Sequence, residues 1–135
     1  MNANMFDGFD AARYEEEARQ KWGGSPEFEQ SVRRAKAYTK QDWDEIRKEG
    51  GAIMRRIVAL MNRGPSDPEV QKAIAGHHGQ INDRFYACSA EVYRGLADAY
   101  VDDARFTAFY EKIQPGLARF MRDAMHVYAD SLEKA

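Results

Sequence analysis

The stretch from His77 to Val101 gathers the groups whose types and spacing could do chemistry: His77 and His78, the single cysteine Cys88, and Tyr86, Tyr93 and Tyr100. Neighbouring residues on a helix point about 100° apart, so His77 and His78 make a poor pair of metal ligands. The third histidine, His126, is far away in sequence. His77 and Cys88 could form a nucleophile–base pair, but on one straight helix they would stand roughly 16 Å apart. A break near Ala87 would shorten that distance, yet no third group is placed to orient the base. Cys88 has two readings, a small buried hydrophobe or a reactive thiol. The second needs positive charge nearby, and Arg84 and Arg94 are the local candidates. Asp98, Asp102 and Asp103 read as helix-end and surface charges. The sequence holds no glycine-rich phosphate loop, His-Glu-x-x-His, Cys-x-x-Cys or nucleophile elbow. No catalytic residue, metal ligand or cofactor is assigned, and the chain is not expected to be an enzyme.

The tyrosines suggest something else. Seven residues of helix turn through about 700°, so Tyr86, Tyr93 and Tyr100 would stack into a ladder if the stretch were helical throughout, with Leu96 between the upper two. A tyrosine buries a large apolar ring but needs a partner for its hydroxyl, which suits a core seam or a ligand cleft equally. The chain also carries seven Phe, seven Tyr, two Trp and six Met. Such a load fits a core, and it also fits a cleft for a bulky apolar ligand.

The elements that must position these residues read as helices throughout. Asp10 can cap a helix from Ala11 to Trp22 that Gly23–Gly24 ends. Ser25-Pro26-Glu27 starts a second, running to about Tyr38. Thr39 to Asp42 is a capping-box variant ahead of the longest helix, to about Arg63, with Trp43, Ile46, Ile53, Ile57 and Leu60 on one stripe. Gly50–Gly51 inside it reads either as close helix packing or as a hinge. Gly64 to Pro68 is the clearest loop, and Ser66 or Asp67 caps the next helix. Gly76 and Gly79 weaken that helix near its end. A short break is expected around Tyr86 to Ser89, with Ser89 capping a helix to about Val101. Asp102–Asp103 starts another, and a last helix follows Gln114-Pro115-Gly116. No alternating stretch reads as a strand, so the expected fold is all-α, six or seven helices around one core.

Composition bounds the function. At 135 residues, 44% hydrophobic and 31% charged, the chain can bury one core. Its net charge of −2 with interspersed signs does not provide the clustered basic surface of a DNA-binding domain. One cysteine forms no internal disulfide, no apolar run reaches the length needed to span a bilayer, and the N-terminus lacks a signal-peptide layout. A cytoplasmic protein without membrane contact is expected.

Several segments in order resemble one family. They are Phe9-Asp10 with Tyr14-Glu15-Glu16-Glu17, Lys21-Trp22-Gly23, Tyr38-Thr39-Lys40 through Asp42-Trp43, and His77 ahead of Phe85-Tyr86-x-Cys88. Tyr93-x-Gly95-Leu96 through Tyr100-Val101, Asp103-x-Arg105-Phe106, and Pro115-Gly116-Leu117 to Met121-Arg122-Asp123-Ala124 follow. Together they resemble the TipAS family, the effector-binding domain of MerR-type transcription regulators. No single motif is diagnostic, but the set covers nearly the whole chain.

The resemblance implies a globin-like bundle without haem, opened by a ligand cleft. It implies a sensor that binds a bulky apolar ligand, such as a thiopeptide-like antibiotic or another drug, and relays this to an upstream DNA-binding domain. Members answer multidrug or stress cues, often as activators. A stand-alone antibiotic-sequestering resistance protein is the alternative. The partners implied are a small-molecule or macrocyclic peptide ligand, and DNA only through a separate N-terminal domain. The full-length protein would be a homodimer and this domain a monomer. Residues 1–5 would be a disordered tail or cloning remnant, and 6–135 the effector domain. Within it, 6–38 would be a ligand-ordered lid and 39–135 the helical core. Trp22, Trp43, His77, Phe85, Tyr86, Tyr93 and Tyr100 are the expected cleft residues, His77 and the tyrosine hydroxyls supplying polar contacts. In the thiostrepton-type member, a cysteine one place before the Leu of this segment bonds covalently to dehydroalanine-bearing antibiotics. Here that place is Gly95, so reversible binding is expected.

Overall fold

The computed structural model describes residues 25–134. Among these, six α-helices follow one another without a strand: α1 (Pro26–Ala37), α2 (Lys40–Leu60), α3 (Pro68–Arg84), α4 (Ala90–Asp102), α5 (Ala104–Ile113) and α6 (Leu117–Lys134). The expected helix from Ala11 to Trp22 lies outside the described residues.

Local chemistry sets most boundaries. Ser25 accepts from the Phe28 amide at the start of α1, and Thr39 and Asp42 close a reciprocal capping box at the start of α2. Each satisfies amides that the first helical turn leaves unpaired. Asp67, rather than Ser66, caps α3, taking bonds from Glu69 and Val70. Ser89 caps α4, and Asp103 caps α5. For α6, Glu111 reaches forward from α5 and accepts from the amides of Gly116 (2.9 Å) and Ala118 (3.1 Å). The longest helix ends with its stripe at Leu60, three residues before the expected Arg63: Met61–Arg63 tightens into a 3₁₀ turn, and Gly64 then takes φ +94°, a conformation that favours glycine. Gly50 and Gly51 are both buried in an unbroken α2, which favours packing over a hinge.

The break expected around Tyr86 to Ser89 is present, and the three-rung ladder, which needed an unbroken helix, does not form. The chain leaves helix after Arg84 and re-enters it at Ala90, so Tyr86 lies in the linker and only Tyr93 and Tyr100 share a helix. The break is held from outside. Asn82 Oδ1 accepts from the Cys88 amide at 3.0 Å, and the Cys88 carbonyl accepts from His78 Nε2 at 2.8 Å.

The core lies where α3, α4 and α6 meet, and α2 and α5 close it. Val70, Ile74, Tyr93, Leu117, Met121 and Met125 are fully enclosed there. Helix α1 differs from the rest. None of its residues is buried, and polar bonds tie it to the end of α3 and to the linker. Arg34 donates to the Asn82 carbonyl at 2.9 Å, Tyr38 to the Arg84 carbonyl, and the Ala87 amide to Gln30 Oε1 at 2.8 Å.

Candidate functional site

The expected cleft residues separate into an inner and an outer set. The inner set is His77, Tyr93 and Tyr100. His77 projects from α3 into the core, 7% exposed, and both ring nitrogens meet tyrosines of α4: Nδ1 lies 2.7 Å from the Tyr93 hydroxyl and Nε2 3.2 Å from that of Tyr100. The Tyr100 ring stacks on that of Tyr110, with centroids 4.5 Å apart. A neutral imidazole accepts at one nitrogen and donates at the other, so one of the two tyrosines donates to His77 and the other accepts from it. Neutral forms are favoured throughout. Burial, helped by the neighbouring His78, pulls the His77 pKa down to about 4. Burial also pushes Tyr93 and Tyr100 well above the ordinary phenol range and Tyr110 up to about 12.

The outer set is Trp43 and Phe85, with their rings 6.2 Å apart. Tyr38, which sequence reasoning did not single out as a cleft residue, meets Trp43 edge-on at 5.4 Å. All three are half-buried. They clasp the junction where α1 ends, α2 begins and α3 stops. Tyr86 is also half-buried and packs against the core from the linker. Trp22 lies outside the described residues.

Beside the outer set an open groove of about 550 Å³ runs between α2 and α3. Glu49 and Ile53 form one wall; Gly76, Gly79, Gln80, Asp83 and Arg84 form the other. Tyr38, Trp43 and Phe85 do not line the groove, although Phe85 follows Arg84 in the chain. Gln80 is fixed by donating to the Ile46 carbonyl at 2.9 Å, and Arg84 stands 3.7 Å from Glu49 across the opening. Such a volume lies in the range of small-molecule sites. The groove had one sequence signal, the glycines in α3, which composition alone reads as weak helix.

Cys88 is buried, and its thiol is pushed up to about 11 by burial first and by Glu27 second. Neither Arg84 nor Arg94 serves it. Arg84 faces Glu49, while Arg94 bridges to Asp130 and Glu133 of α6. This favours the small-hydrophobe reading. His77 is engaged by tyrosines, so the geometry brings no His77–Cys88 pair together. Gly95 is exposed on α4, and a Cβ there would meet nothing within 4 Å.

Among the described residues the chain is an all-α bundle with His77 and two tyrosines at its centre and an open groove on one flank. The family model of the TipAS antibiotic-recognition domain matches residues 14–128, and the chain belongs to that family. It is similar to the HTH-type transcriptional activator TipA of Streptomyces coelicolor, with 42% identity over 90% of this chain and 49% of the relative. It is also similar to the HTH-type transcriptional activator mta of Bacillus subtilis, with 37% identity over 89% of this chain and 46% of the relative. The chain therefore spans about half the length of these curated relatives. Among solved structures it resembles TipAS from Streptomyces lividans in complex with nosiheptide, described as part of a thiopeptide antibiotic multidrug resistance system. That likeness has a TM-score of 0.86 and 36% identity, covering 94% of this chain and 90% of that one.

Proposed function

We propose that this domain is the ligand sensor of a MerR-type transcription regulator and reversibly binds a bulky apolar ligand of the thiopeptide class. The observation that carries the reading is the likeness along nearly the whole chain to a TipAS domain solved with nosiheptide bound. In this reading DNA is contacted by a separate N-terminal domain, and this domain supplies the signal.

The cleft is built by the outer residues. Trp43 and Phe85 offer half-exposed aromatic surface beside the groove, with Tyr86 behind them. His77, Tyr93 and Tyr100 spend their polar atoms on one another, so they brace the wall from within. Of the lid expected over residues 6–38, α1 is the described helix, and its lack of buried residues and attachment by polar bonds suit an element that can shift when ligand arrives. Displacing α1 would change the Arg34, Gln30 and Tyr38 contacts at the end of α3, giving ligand binding a mechanical output.

Tryptophan fluorescence during titration with nosiheptide, thiostrepton and unrelated apolar macrocycles tests the reading. Saturable binding of at least one thiopeptide is expected. A flat response to the whole panel, repeated by calorimetry, contradicts it.

A further inference from the structure

Gly79 sits in the interior of α3 with no local structural reason to be glycine. Its backbone is not in the left-handed region, which among the described glycines only Gly64 and Gly116 occupy, and a Cβ at 79 would meet nothing within 4 Å. Gly76, one turn earlier, would place a Cβ 3.8 Å from the Ile53 side chain, an ordinary contact. Glycine inside a helix is destabilising relative to alanine. Here that cost is incurred at two places, both on the floor of the 550 Å³ groove. A local rule broken without a packing return points to function.

Resting on the sensor reading above, we propose that Gly79 is a specificity-determining residue, its missing side chain leaving a flat floor for a planar heteroaromatic or amide face of the ligand. The rim supplies the polar part of the selectivity. Gln80 is anchored through its amide nitrogen, which leaves its oxygen as an acceptor. Asp83 is exposed and has no ion pair among the described residues, and the Arg84 charge is turned toward Glu49. The groove therefore offers acceptors and negative charge. It suits a ligand with N–H donors at its edge and no anionic group, and disfavours carboxylates and phosphates.

The test uses Gly79→Ala and Gly79→Leu with nosiheptide as the probe, measuring melting temperature without ligand and affinity by calorimetry. Gly79→Ala is expected to melt higher than the unsubstituted domain yet bind roughly tenfold or more weakly, and Gly79→Leu to bind weaker still. Melting that rises while affinity falls separates a blocked floor from a damaged fold. If the unsubstituted domain binds and both variants bind within twofold of it, the groove floor is not the seat of the ligand, and the sensor reading survives. If the unsubstituted domain does not bind, the sensor reading fails and this inference falls with it.

Discussion

The Tyr93 hydroxyl lies 2.7 Å from His77 Nδ1, inside a core where Tyr93 is wholly enclosed. This bond joins α3 to α4 at the centre of the domain. Removing the hydroxyl leaves a buried ring nitrogen without its partner, which costs about 1–3 kcal/mol. Tyr93→Phe is therefore expected to lower stability by that amount in urea unfolding, and ligand affinity in the outer groove only slightly.

The burial of His77 beside His78 predicts a pH dependence. Unfolded, His77 takes a proton near pH 6.5; folded, it does so only near 4. Between those values the unfolded state binds more protons, so the stabilising contribution is complete above pH 6.5 and is lost as pH falls toward 4. A shift of this size corresponds to roughly 3 kcal/mol. Urea unfolding at pH 7.0, 6.0 and 5.0 should show declining stability. In His77→Gln, which keeps hydrogen-bonding capacity without the titration, the decline over this range should largely vanish.

Glu111 titrates lower. Its carboxylate accepts the amides of Gly116 and Ala118, which hold its pKa below the ordinary value. This stabilisation is present above the usual carboxylate range and lost as pH falls through it. Glu111→Ala should lower the melting temperature at pH 7, and the difference from the parent should shrink in strong acid.

How much of this was legible in the chain divides by cause. Caps were readable because a short polar side chain before a helical stripe acts locally, as at Ser25, Thr39 and Ser89. The break at Tyr86 to Ser89 was readable for the same reason. The fate of His77, Tyr93 and Tyr100 was not, because period seven sets the two tyrosines on a common face but does not say that His77 of another helix covers it. Only tertiary packing does. Gly76 and Gly79 were visible as weak points in α3, but their place on a groove floor depends on the angle between α2 and α3, which no local pattern encodes. Tyr38 escaped notice as a cleft residue because its ring is placed by the turn between α1 and α2.

Cys88 is expected to be inert in the folded protein. With its thiol buried and its pKa pushed up to about 11, iodoacetamide at pH 7.5 should label it slowly until urea unfolds the chain. Cys88→Ser should retain ligand binding. Fast labelling of the native protein would instead mark it as a reactive thiol.

The most direct test of the sensor account is a nitrogen-15 correlation spectrum of the domain during nosiheptide titration. The account predicts saturable shifts concentrated at Trp43, Ile53, Gly76, Gly79, Asp83 and Phe85, with α1 amides moving in step. An unchanged spectrum at saturating ligand, or shifts confined to α5 and the far end of α6, would contradict it.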